Sequence, residues 1–331
     1  MGFSDRLVSA TDAPAAGASG PTVTEPQTSG AGATRSRRLG FGWTGLLPFF
    51  IYVFLFFLLP IGVILFTSIR KATRVRNPQT QIFEAKKSFT ADNLTNSLKG
   101  IYRTSMVNSL ELSAFTAVIG AVVGILLAYA IVTSRSSILR QVVIAGSAVM
   151  ANFGGVPLAF LFIATVGNAG VLTTFLDGHL GISLADDLHF KLTTVPGIAL
   201  VYLYFLIPLM VLVMTPALEG LKPQWAEAAE NLGANRWHYW RYIAGPVLLP
   251  NFLGSVLLLF CSAFSAYATA FALVGSSFPL VPTQISAVLS GNVLSGQENL
   301  GAALALDMVV IVLPLTVVYQ LLQRRTSKWL A

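Results

Sequence analysis

The sequence predicts an all-α integral membrane protein with six transmembrane helices. Hydrophobic residues make up 54% of the chain and charged residues only 11%, whereas about a quarter of a soluble domain is charged. Several stretches, among them Gly42–Ile69, Pro196–Leu218 and Val247–Val274, carry no charge at all. Each is longer than the roughly 20 apolar residues needed to cross a bilayer core. The net charge of +7 would point to nucleic acid in a soluble protein. Here the basic residues flank apolar runs, where anchoring and topology account for them and no nucleic-acid partner is implied.

Residues 1–40 are rich in Gly, Ala, Ser, Thr and Pro without hydrophobic periodicity, so they read as a disordered tail. They do not form a secretory signal, because the first apolar stretch begins later and is too long. Gly42–Ile69 is the first span, with Pro48 and Pro60 as candidate kinks. A polar, strongly basic segment, Arg70–Arg103, follows, and within it Phe89–Leu94 reads as a short amphipathic element. The second span, Leu112–Thr133, contains Gly120-x-x-x-Gly124, a spacing that permits close helix packing but is common in spans. A short turn with Arg135 and Arg140 leads to a third span, Val142–Val166, which Asn152 and Gly154-Gly155 break or pack closely midway.

Gly167–Val195, with Asp177, Asp186 and Asp187, reads as a polar loop. Pro196–Leu218 is the fourth span. A fifth begins near Val247, a loop containing Pro279 and Pro282 follows, and Gly301–Leu322 is the sixth. The chain ends on Arg324, Arg325 and Lys328. Six spans put both termini on one side. Placing them inside satisfies the positive-inside tendency everywhere except in Arg70–Arg103, which then lies outside.

Between the fourth and fifth spans lies a charged loop, 219–247, which lipid cannot accommodate. Pro223 suits a first helical turn and Gly233 the left-handed position that ends a helix. Trp225, Ala228, Ala229 and Leu232 fall at i, i+3, i+4 and i+7, giving one apolar face. Beyond Gly233, a second short helix carries Trp237, Trp240 and Ile243, with Arg236, His238 and Arg241 between them. Composition alone leaves this loop either an interfacial helix resting on headgroups or a docking element.

The spacing is more specific. Glu227-Ala228-Ala229, three residues, then Gly233-Ala234, with Ile243 and Pro246 beyond, resembles the EAA loop of ABC importer permeases. The core of that motif matches in full. The chain departs where Gly245, not leucine, precedes Pro246, and a Leu-Leu-Pro follows at Leu248–Pro250. The phrase from Ser262 to Gly275, and later Ala302–Leu306, is similar to the permease group that includes polyamine, sulfate, molybdate and ferric-iron importers.

The resemblance covers residues 41–325 and implies a type I ABC importer permease fold with cytoplasmic termini in a bacterial inner membrane. It implies a second permease subunit, identical or homologous, partner ATPase subunits that bind the ATP, and an extracytoplasmic solute-binding protein. Glu227, Ala228, Ala229, Gly233 and Ala234 would then couple to the ATPase. Residues 326–331 would form a short cytoplasmic tail.

The sequence also excludes chemistry. No phosphate loop is present, the lone cysteine Cys261 sits in an apolar run, and the three histidines lack metal-ligand spacing. The chain is therefore expected to be neither an enzyme nor the holder of a cofactor.

Candidate path residues are polar groups at membrane depth: Asn152, Asp307, and the hydroxyls of Ser262, Ser265, Tyr267 and Thr269 in the fifth span. Ser262, Ser265 and Thr269 share one helical stripe if that helix is continuous. Either these hydroxyls line a hydrated path or they join neighbouring helices. Asp307 either serves a ligand, a gate or a subunit contact, or snorkels to the outer surface, and Glu111 sits at an interface. A secondary transporter or channel remains the alternative class; it leaves the Glu227 loop without a role, and no inverted repeat supports it. A non-transporting scaffold has no dedicated motif.

Overall fold

The computed structural model describes residues 42–76, 83–181, 190–275, 277–290 and 298–330. The expected tail at 1–40, together with Asp186 and Asp187, lies outside them. Residues Met1–Ile51 and Tyr52–Ala331 form two units, and the packing below is that of the second.

Helix α1 (Gly42–Val53), a π-helical turn (Phe54–Leu58) and α2 (Leu59–Ser68) make the first apolar run. Strands β1 (Arg70–Arg76) and β2 (Phe83–Phe89) pair antiparallel, Arg70 opposite Phe89 and Arg76 opposite Phe83. After α3 (Asp92–Ser97), α4 (Gly100–Thr133) starts a full three turns before the expected Leu112. Next come α5 (Ser137–Asn152), α6 (Val156–Val166), α7 (Val171–Leu180) and α8 (Val195–Glu219). The remainder is α9 (Pro223–Asn231), α10 (Arg236–Tyr239), a π turn (Trp240–Ala244), α11 (Gly245–Phe264), α12 (Tyr267–Val274), α13 (Val281–Leu289) and α14 (Glu298–Leu330). Among the described residues, six helical runs are long and apolar enough to span a bilayer: Leu46–Ser68, Gly100–Thr133, Val156–Leu180, Val195–Glu219, Arg236–Phe264 and Asn299–Leu321.

Helix α8 forms the core. Its Ile198, Val201, Leu206, Met210 and Met214 are wholly buried, and α4, α5 and α11 pack against it. Gly120 and Gly124 explain the close approach of α4. A Cβ on Gly124 would stand 2.5 Å from Met210 Cβ, and one on Gly120 would stand 3.2 Å from Leu206 Cβ. The outer faces stay apolar and exposed (Phe115, Val118, Leu126, Val310 and Leu313 among them), as surfaces solvated by lipid must be. Buried hydroxyls bond back to their own helix, Thr116 to Leu112 O at 2.8 Å and Ser255 to Asn251 O at 2.8 Å, which satisfies them without water.

Several expectations are corrected. The third span is not Val142–Val166: the chain breaks at residues 153–155, and the run long enough to cross is Val156–Leu180, with Ser137–Asn152 a shorter apolar helix. Helix α7 therefore occupies part of the expected loop Gly167–Val195. The loop at Pro279 and Pro282 contains α13, whose first turn Pro282 occupies. Strands β1 and β2 stand where only a polar segment was expected. Helix α14 continues to Leu330.

Candidate functional site

Two places bring the predicted residues together: the corner after α8, and the paired helix breaks within the bundle.

At the corner, Pro223 occupies the first turn of α9, where its missing N–H costs no hydrogen bond. The helix ends in a Schellman arrangement. Gly233 takes φ +77°, its N–H donates to Glu230 O at 2.9 Å, and the Ala234 N–H reaches back to Ala229 O at 2.9 Å. Asn235 then caps α10, its Oδ1 accepting from His238 N–H at 2.9 Å. The left-handed glycine expected from sequence is thus present, and the chain reverses within a few residues.

The second half of the loop differs from expectation. No separate short helix ends near Pro246. Instead α10 runs through the π turn into α11, so that Arg236–Phe264 is a single helical run. Gly245 permits this, because a Cβ there would stand 2.5 Å from Trp240 O. The departure at Gly245-Pro246 is a π bulge in a continuous helix, a feature that absorbs the N–H proline lacks.

The faces of α9 also divide differently. Ala229 is 5% exposed and turned into the bundle, whereas Glu227 and Ala228 are exposed and Leu232 is 88% exposed. The expected single apolar face, Trp225–Ala228–Ala229–Leu232, is therefore split between an inner and an outer side. A cavity of about 520 Å³ lies in the elbow, lined by Tyr129 and Thr133 of α4, Leu218 and Leu221, Ala229 and Glu230, and Arg236 and Trp240. Arg236 donates to the Tyr129 hydroxyl at 2.8 Å, and the Trp240 ring meets the Tyr129 ring edge-on at 5.3 Å. Arg140 and Glu219 form an ion pair that ties the first turn of α5 to the end of α8. Sequence reading missed Tyr129 and Arg236 as partners because they lie far apart in the chain.

The second place is built from two interruptions. Helix α5 ends at Asn152 and α6 starts at Val156; α11 ends at Phe264 and α12 starts at Tyr267. The breaks face each other. Gly155, at φ +74°, donates its N–H to Thr269 Oγ1 at 2.9 Å, and the Tyr202 hydroxyl donates to Ala266 O at 3.1 Å. Each break exposes backbone groups that lipid cannot satisfy, and each is capped by a side chain from another helix.

This break corrects the expected stripe. Ser262 lies in the last turn of α11, Ser265 just beyond its end and Thr269 in α12, so the three do not share a face of one helix. Thr269 is buried, Ser265 is exposed with its hydroxyl on Cys261 O at 2.8 Å, and Ser262 is half-buried. Tyr267 shares a 2.8 Å hydrogen bond with Ser286 on α13. Together Ser265, Tyr267, Ser286 and Ser290 supply the hydroxyls of an open pocket of about 400 Å³ that Ile285 and Met308 also line. Ser286 and Ser290 were missed because they fall on α13, which was read as loop.

Asn152 stands at the edge of the first break but does not join its contacts, and Asp307 lies on α14. Asn152 is exposed and bonds Ala148 O at 2.8 Å within its own helix. Asp307 is half-buried, with its Oδ2 atom buried and without a hydrogen-bond partner. Among the described residues no group of His, Cys, Asp or Glu is arranged to hold a metal ion.

Residues 120–328, which include the corner and both breaks, match the family described as the binding-protein-dependent transport system inner membrane component. The chain belongs to this family. With six apolar helical runs among the described residues, it is a multi-pass inner-membrane protein of this family.

Members and structures with which it aligns are diverse. It is 28% identical over 218 residues to the ferric transport system permease protein FbpB of Actinobacillus pleuropneumoniae, covering 62% of this chain and 29% of that protein. It is 27% identical over 232 residues to the spermidine/putrescine permease PotB of Haemophilus influenzae, covering 70% of this chain and 78% of that one. The chain spans about a third of the length of two ferric-permease relatives, 32% of one and 29% of the other. A bacterial alginate ABC transporter solved with an alginate pentasaccharide-bound periplasmic protein shares the fold, at TM-score 0.66, 18% identity, and 86% and 94% coverage of the two chains.

Proposed function

We propose that this chain is the permease subunit of an ATP-driven importer, coupled through the Glu227–Ala234 corner to a separate ATPase. One observation carries the reading. The Glu227-Ala228-Ala229 helix is closed by a left-handed Gly233 and braced to α4 through Arg236. An exposed helix on a stiff elbow transmits a push to the bundle instead of folding under it. Glu227 and Ala228 would meet the ATPase, Ala229 would let α9 seat on the bundle, and Gly233 and Ala234 would hold the corner.

In this reading residues 41–325 form the membrane domain, flanked by cytoplasmic segments 1–40 and 326–331. A second permease chain completes the path, and partner ATPases bind the ATP. An extracytoplasmic solute-binding protein delivers cargo. The path is assigned to the paired breaks and the Ser265–Tyr267–Ser286 cavity, where interrupted helices offer polar groups at membrane depth.

Uptake assays in cells and ATPase assays on the purified complex test this. Gly233→Asp is expected to remove uptake while the chain stays in the membrane. Uptake at the unmodified level in that variant would overturn the coupling assignment.

A further inference from the structure

Neither the corner nor the breaks give a role to Glu111. It lies inside the second apolar run, Gly100–Thr133. Its side chain is exposed, and among the described residues its carboxylate has no hydrogen bond or ion pair. An unpaired carboxylate in such a run is costly, so a function is its default explanation. Asn108, Glu111 and Phe115 also precede residues 120–328, which match the family, so that match assigns them nothing.

Glu111 stands on an open pocket of about 390 Å³. Asn108, Leu112 and Phe115 of α4 line it with Glu111, together with Val195 at the start of α8 and Phe278 between α12 and α13. Glu111 and Phe115 are one helical turn apart and share a face of α4. Phe278 is carried to that face by two hydrogen bonds from its own segment. Asn108 Nδ2 donates to Pro279 O at 3.2 Å, and the Val281 N–H donates to Ser109 Oγ at 2.9 Å. The first bond uses the amide nitrogen of Asn108 and leaves its side-chain oxygen as an acceptor.

The pocket is remote from the corner. Glu111 precedes Tyr129, which Arg236 braces, by five turns of α4, about 27 Å. That is close to the hydrocarbon thickness of roughly 30 Å. Val195 and Glu219, the two ends of α8, tell the same story, since Val195 lines this pocket and Glu219 leads into the corner. The pocket therefore opens at the membrane face opposite the corner.

Its lining selects a ligand chemistry. The one charge is negative and no basic side chain lines it, which disfavours anions. A hard metal ion takes about six or more oxygens, and one carboxylate with one amide falls short. Two phenyl rings and two aliphatic side chains suit carbon, and aromatic faces attract a positive charge.

We propose that Glu111, Phe115, Phe278 and Asn108 form a binding site for an organic ammonium ion. The carboxylate of Glu111 would pair with the charged nitrogen, Phe115 and Phe278 would cover its carbon substituents, and the Asn108 side-chain oxygen would accept from an N–H where the ion has one. Calling this ion the cargo rests on the importer reading; the site itself does not.

The test uses the full chain with whatever subunits purify with it, in detergent and without ATP, so its failure is separate from a failure of ATPase coupling. Two cations, n-butylammonium and choline, are titrated by saturation-transfer NMR against two uncharged analogues of similar shape, n-butanol and 3,3-dimethyl-1-butanol. Both cations are expected to bind more tightly than their analogues. Glu111→Gln should weaken cation binding on the order of tenfold and leave the alcohols unchanged, because it removes a charge-assisted bond. Phe115→Leu and Phe278→Leu should each weaken the cations by about threefold. Glu111→Asp, which keeps the charge, should retain part of the binding even where Gln disturbs folding. Asp177→Asn, at an exposed carboxylate of α7, should change nothing. Cations that do not bind, that bind no better than the alcohols, or that are indifferent to Glu111→Gln would overturn the proposal. Binding that emerges only when other subunits are stripped away would also overturn it, by placing Glu111 against a partner chain.

Discussion

The Arg236 guanidinium donates to the Tyr129 hydroxyl at 2.8 Å, across 107 positions of sequence. The contact joins the first turn beyond the Gly233 corner to the last turns of α4, and Trp240 packs against the same tyrosine ring. A movement imposed on α9 therefore reaches α4 through a polar bond and an aromatic contact as well as through the backbone.

This brace yields a double-mutant prediction. Arg236→Ala and Tyr129→Phe each remove the same hydrogen bond, worth about 1 kcal/mol, so each is expected to lower uptake roughly fivefold. The double variant should be little worse than either single one, because the two share one interaction. Additive losses would show that the residues act independently.

At Gly233 the strain lies in the backbone. No atom lies within 4 Å of where a Cβ would stand, and φ is +77°. Alanine should therefore cost about 1–2 kcal/mol through its left-handed backbone rather than through a clash. Asparagine, which tolerates that region, is expected to retain more activity than alanine. Uptake and coupled ATPase activity should rank Gly above Asn above Ala; equal activity of all three would contradict the corner's role.

Close packing makes a separate prediction for α4 and α8. Gly124→Ala places a Cβ 2.5 Å from Met210 Cβ, whereas Gly120→Ala meets Leu206 at 3.2 Å. Gly124→Ala is expected to destabilise the purified chain by about 1–3 kcal/mol, seen as a lower thermal-unfolding midpoint in detergent. Gly120→Ala should cause the smaller shift.

Thr269→Val keeps the shape of the side chain but leaves the Gly155 N–H without its partner. Burying that donor unsatisfied costs about 1–3 kcal/mol. Thermal stability and uptake should both fall, and Thr269→Ser, which keeps the hydroxyl, should restore most of each. A valine variant indistinguishable from the parent would show that the facing breaks are not held by this bond.

Charge-free runs made much of this fold legible. Pro196–Leu218 became α8 (Val195–Glu219) almost residue for residue, because an uncharged run of that length has few other uses. Pro223 and Gly233 located the corner, since their backbone preferences are local. The breaks were harder to see. Alanine-rich Ser262–Ala270 favours a helix by propensity, and its interruption rests on Tyr202 and Thr269 bonding to partners far away in sequence. Helix α7 was hidden by Asp177, His179 and flanking glycines, which read locally as loop. The hairpin was hidden too, because its basic residues obscure the alternation that marks a strand.

The most direct test of the coupling assignment is mass spectrometry of the intact complex after gentle detergent extraction of the tagged chain from its own membrane. The account predicts a phosphate-loop ATPase bound to the chain, released by Gly233→Asp while that variant remains membrane-inserted. The chain found alone, or only with itself, in a preparation that still supports uptake would contradict it.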